Sequence, residues 1–136
     1  MRLANRKDDF WELRSVEEAH RQHPDTFWIP PLEERQNLKR GQAVKLIFDI
    51  EFDNDGDVIV ASERMWVTVA ERIGSYYIGI LNNQPASFEP SDDIYLCFGA
   101  EIPFAPEHIA DIVDSLNEYS DWQLNQKPER IWPRED

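Results

Sequence analysis

The sequence predicts an α+β fold: a small, strongly bent antiparallel β-sheet or SH3-like barrel over residues 43–104, with N-terminal helices packed on it and a closing C-terminal helix over residues 106–119. Three observations carry that reading. Apolar and polar residues alternate from Val44 to Phe52, turn-forming residues punctuate the stretch that follows, and apolar residues recur at helical spacing from Ile109 to Tyr119.

The elements follow in order. Residues 1–41 read as helical and irregular. Ser15 and Glu18 stand at capping-box spacing, which predicts a short helix from about Val16 to His23, stopped by Pro24. Phe27, Trp28 and Ile29 form an apolar knot before Pro30-Pro31. Pro31 suits the opening of a second short helix, Leu32 to Lys39, with Gly41 just past its end. Helices this short are unstable alone in water, so they must dock on something. In the first strand Val44, Leu46, Phe48, Ile50 and Phe52 share one face, and Ile47 is the one apolar residue on the other. Asn54-Asp55-Gly56 is hairpin chemistry, because its residues tolerate positive φ. The return arm, Asp57 to Ala70, bends near Ala61-Ser62 and turns Met65, Val67 and Val69 inward. Gly74-Ser75 makes the next turn, and Tyr76, Ile78 and Ile80 define a third strand that ends at Asn82–Pro85. Ile94 to Phe98 is apolar on both faces and reads as a fourth strand, covered on both sides. Pro106 opens the last helix, with Ile109, Ile112, Val113, Leu116 and Tyr119 on one face. A tail, residues 120–136, carries Trp122, Leu124, Ile131 and Trp132.

The chain has 136 residues, which bounds it to a single domain, and its 41% apolar and 12% aromatic residues suffice for a core. One cysteine excludes an internal disulfide and a Cys-rich zinc site. With 27 acidic against 14 basic residues the net charge is −13, which argues against a nucleic-acid partner, because phosphate contacts need surplus Lys and Arg. No apolar run approaches the ~20 residues of a membrane span, and no apolar segment follows the basic start. The sequence therefore reads as a cytoplasmic protein without a cofactor.

Candidate sites are few. Glu51, Asp53, Asp55 and Asp57 around Gly56 mimic the opening of a calcium loop, but Ser62 stands where a bidentate Glu is needed, so the segment reads as a solvated hairpin tip. Cys97, inside an apolar run, reads as a buried structural thiol. His20 and His23, and likewise His108 and Asp111, are three apart, and neither pair shows a third ligand. An enzyme or metal-binding protein with a site from His108, Asp111 and Cys97 is the alternative to a non-catalytic reading. Trp66 falls off the inward face of its strand and is expected beneath the N-terminal helices or along a groove.

Charge layout is the most informative feature. From Ile73 through Gln126 there is no Lys or Arg. Glu107, Asp111, Asp114, Glu118 and Asp121 recur at steps of four, three, four and three, which on a helix makes one acidic ridge. Like charges at such spacing cost roughly 0.2–0.5 kcal/mol per pair. The ridge, with Asp92, Asp93 and Trp66, is the expected docking surface for a basic protein. Charge attraction of that kind speeds association and selects partners. The chain is expected as a monomer or as a homodimer joined through the Trp122–Trp132 tail.

Glu63-Arg-Met-Trp-Val67, Gly79-Ile-Leu81-Asn82-Asn83-Gln-Pro85 and Phe104-Ala-Pro-Glu107-His108-Ile109-Ala-Asp111, in that order, resemble a bacterial domain-of-unknown-function family of small, mostly stand-alone proteins. That family's pattern is E-x-M-W-V, then G-x-L-x-N-x-P, then G-D, then F-x-x-E-x-I-x-D. The resemblance spans residues 43–112, with Ser91-Asp92 in place of Gly-Asp. It implies a compact β-rich domain and supplies no catalytic residues. In size and charge alone the chain is also similar to immunity or antitoxin proteins.

Overall fold

A computed structural model describes residues 1–114 and 117–134. From the N-terminus the chain forms α1 (Arg6–Asp9), β1 (Trp11–Leu13), α2 (Val16–Gln22), α3 (Leu32–Gln36), β2 (Ala43–Asn54), β3 (Asp57–Ile73) and β4 (Tyr76–Leu81). Then come β5 (Glu101–Phe104), a 3-10 turn at Pro106–His108, β6 (Ile109–Val113) and α4 (Glu118–Leu124). The fold is α+β, with the sheet curled into a half-barrel.

The alternating run becomes β2, which pairs antiparallel with β3 from Ala43↔Thr68 to Asn54↔Asp57. Asp55 (φ 54°) and Gly56 (φ 91°) close that hairpin, and two successive positive φ values give its turn the twist the strands require. The spatial order is β1-β2-β3-β4-β5, with β6 also on β2. β6 lies along Ala43–Leu46 and β1 along Phe48–Ile50, so two short segments from opposite ends of the chain cover one edge of β2.

The inward residues of β2 and β3, Val44, Leu46, Phe48, Ile50, Met65, Val67 and Val69, are buried with Tyr77, Phe104 and Trp11. Burying each large side chain contributes roughly 1.5–3 kcal/mol. Ile47 is buried against Val16 and Ile29, which is where the N-terminal helical region docks. Arg35, only 5% exposed, ties that region together. It donates from Nε to Pro30 O (2.8 Å) and from Nη1 to Glu17 Oε2 (2.7 Å) and Pro106 O (2.9 Å).

Two expected elements differ. Ile94–Phe98 is not a strand: a turn closes at Ser91–Ile94, where Ile94 N donates to Ser91 O (3.1 Å). Tyr95 then donates to Glu101 O (2.8 Å), and Leu96 is buried by packing rather than by a ladder. The fourth strand is Glu101–Phe104 instead. The helix expected over 106–119 is also corrected. After the 3-10 turn the chain extends, and Ile109–Val113 pairs with the open edge of β2. Unpaired strand groups there need partners, and Ile109, Ile112 and Val113 are β-branched, so an edge strand outcompetes a helix. Leu116 of the expected stripe lies outside the described residues, and Tyr119 belongs to α4.

The tail folds back on its own body. Trp132, 3% exposed, packs edge-on against Trp11 and Tyr95 with centroids 5.7 and 5.4 Å away. Its indole donates to Arg2 O (2.9 Å). Trp122 stays half exposed beside Tyr119.

Candidate functional site

The loss of the long helix redistributes the expected ridge. Glu107 is exposed on the 3-10 turn, and Asp111 is half-buried on β6, where its Oδ1 accepts from Ile112 N (2.8 Å). Asp111 shares a hollow with Lys45 and Arg64, whose cations lie over the rings of Trp66 (4.9 Å) and Phe27 (5.8 Å). Trp66 is thus half-buried under Lys45. Asp114 accepts from Gln42 Nε2 (2.6 Å) and shares a shallow hollow with Glu33 and Glu34. Glu118 and Asp121 are exposed on α4, which is held to the sheet by Thr68 Oγ1 donating to Gln123 Oε1 (2.6 Å). The five acids therefore fall on the 3-10 turn, β6, the residue after it and α4, and form no single helical ridge. Among the described residues none of the five is ion-paired with a Lys or Arg; Glu107 stands 3.6 Å from His108.

His108, Asp111 and Cys97 serve separate places. His108 is 5% exposed and accepts at Nδ1 from Ala105 N (3.0 Å), which fixes the 3-10 turn. Burial pushes its pKa down to about 4, against the opposing charge of Glu17, so the ring is neutral near pH 7. Burial raises the Cys97 thiol, the opposite of what a nucleophile needs, although Arg130 opposes the shift. Among the described residues no three His, Cys, Asp or Glu side chains gather so as to hold a metal ion. The Asp53–Asp57 segment is a hairpin tip, with Asp53 Oδ1 accepting from Gly56 N (2.8 Å).

A feature without a sequence signal lies at the other end of the sheet. Where β1 meets the overhanging part of β2, the 88–96 loop closes a cleft of about 320 Å³. Its apolar lining includes Trp11, Ile50, Phe52, Phe88 and Leu96, and Asp9, Glu51, Asp53 and Asp93 also line it, with no Lys or Arg. Phe52 and Phe88 have centroids 6.4 Å apart, and Tyr95 stacks on Trp11 at 6.1 Å. Phe10, also in the lining, ends α1 at φ 65° and is 60% exposed. A bulky residue in that left-handed region costs roughly 1–2 kcal/mol, and the site is where glycine or asparagine normally stands. Trp11 Nε1 is buried without a hydrogen-bond partner among the described residues.

Three of the residues that carry the motif resemblance, Glu63, Gly79 and Asn83, hold the sheet and its loops together. Glu63 accepts from Ala86 N (2.8 Å) and Ser87 N (3.0 Å), and Asn83 Oδ1 accepts from Trp66 N (2.7 Å). A Cβ at Gly79 would collide with Val67 and the Thr68 carbonyl, so the sheet packs there only without a side chain. Comparison with protein-family models, curated proteins and solved structures finds no match.

Proposed function

We propose that this protein is a non-catalytic binding module that docks a basic protein partner. The observation that carries this reading is a division among its acids. Asp93, Glu107, Asp111, Asp114, Glu118 and Asp121 have no Lys or Arg ion pair among the described residues, whereas Asp9, Glu17, Asp49 and Glu101 are matched by Arg2, Arg35, Arg14 and Arg134. Arginines thus hold the carboxylates nearest the interior, Arg130 stands 4.0 Å from the exposed Asp92, and the six acids named first carry no such pair among the described residues. Uncompensated charge of one sign accelerates association with an oppositely charged surface and rejects like-charged competitors. The roles of His108 and Cys97 described above support a non-catalytic reading over one built on them.

The test is quantitative capture from a cell lysate on the immobilised protein and on a variant carrying Asp111→Asn, Asp114→Asn and Glu118→Gln. Basic proteins released by rising salt are expected on the parent and depleted on the variant. Equal yield on both makes these carboxylates a solvated surface and nothing more.

A further inference from the structure

We infer that the cleft between β1, the overhang of β2 and the 88–96 loop takes a peptide segment of the partner in which one large apolar side chain is flanked by Lys or Arg. This rests on the proposed reading of a basic partner. The apolar lining of Trp11, Ile50, Phe52 and Leu96 suits an apolar anchor, and a volume of about 320 Å³ has room for one or two side chains. Charge complementarity fixes the flanks. Arg2 holds Asp9 at 2.7 Å and Arg6 stands 3.7 Å from Glu51, which leaves Asp53 on the β2 wall and Asp93 on the loop wall without ion pairs among the described residues. A desolvated apolar centre inside a charged rim is the arrangement in which a few contacts carry most of the binding.

Phe10 is an independent sign. Its backbone is held in a conformation that disfavours an aromatic residue, and most of its side chain meets water at the cleft rather than the core. Strain of this kind, without a packing return, is found at sites that bind. Trp11, in the same lining, has a buried Nε1 without a hydrogen-bond partner among the described residues, and its ring provides a fluorescent reporter.

The probe is a phage-displayed library of random dodecapeptides, selected on the parent protein. Recovered peptides are then titrated by tryptophan fluorescence against the parent, Phe10→Gly, and the double variant Asp53→Asn, Asp93→Asn. Enriched peptides are expected to share one Phe, Trp, Leu or Ile with neighbouring Lys or Arg. Their affinity should fall about tenfold in Phe10→Gly and severalfold in the double variant. Phe10→Gly should melt no lower than the parent, because glycine relieves the positive φ. Basic-apolar peptides that bind both variants as tightly as the parent overturn the cleft and leave the basic-partner reading standing. Enrichment without basic residues also overturns the proposal for the cleft, and the basic-partner reading then rests on the capture experiment alone.

Discussion

Two sets of carboxylates in this molecule behave differently. Asp9, Asp49 and Glu101 are held at or near the interior by arginines. Asp49 accepts from Arg14 Nη2 (2.6 Å) and Ser62 Oγ (2.6 Å), and Glu101 from Arg134 and from Trp132 N (2.9 Å). Asp93, Asp114, Glu118 and Asp121 lie on loops, a strand end and a short helix, facing water. The first set joins distant parts of the chain: Arg14 reaches β2, and Arg134 clamps the tail across β5 and, through Glu71, β3. The second set makes no ion pair with Lys or Arg among the described residues, although Asp114 accepts a hydrogen bond from Gln42 Nε2 (2.6 Å). A net charge counts both kinds alike, but only the first ties distant parts of the chain together through ion pairs.

Acidification should expose the difference most strongly. Asp9 is lowered by its hydrogen bond from Arg2. Asp49 and Glu101 are lowered because arginine and hydrogen-bond partners outweigh the opposing effect of burial. Groups lowered in the folded state contribute stability above their ordinary pKa and lose it as pH falls through the folded value. His108 follows the same sign over a higher window, because its unfolded value is about 6.5 and its folded value about 4. Stability should therefore drop by about 1.4 kcal/mol per pH unit from near pH 6 to pH 4, roughly 3 kcal/mol in all, before the carboxylates add their share. Denaturant melts across that range, compared with His108→Gln, check this: the variant should be less stable at pH 7 and show a flatter pH profile.

Arg134→Ala should come next. It strands the Glu101 carboxylate, whose side chain is 8% exposed, and frees the tail. Because Arg134 itself is one-third exposed, solvent softens the loss to about 2–3 kcal/mol, readable as a lower urea midpoint. The unpaired set gives the smallest effect. The variant of Asp111, Asp114 and Glu118 should shift stability by less than about 0.5 kcal/mol, in the stabilising direction, since it removes self-repulsion and no ion pair. A loss above 1 kcal/mol would place those acids in the structural set.

Much of the sheet was legible because its signal is local. Val44 through Phe52 alternate within one element, and Asp55-Gly56 satisfies its own turn. What was not legible depended on partners far away in the chain. Ile109, Ile112 and Val113 fit a helical stripe and a strand equally, and the vacant edge of β2, more than sixty residues earlier, decides between them. β1 is three residues long, too short for periodicity to register. The cleft draws on Phe10, Phe52 and Phe88, which no spacing rule connects.

The sequence by itself determined an α+β body with an antiparallel hairpin at its centre, short docking helices ahead of it and an excess of negative charge behind it. The tertiary structure alone decided which acids are held by arginine, that the tail's Trp132 completes the core, and that the helix-like acidic run is broken into strand, turn and helix. Backbone preference and hydrophobic period act over a few residues, whereas the pairing of an open strand edge and the burial of a charge are settled by whatever the folded chain brings alongside.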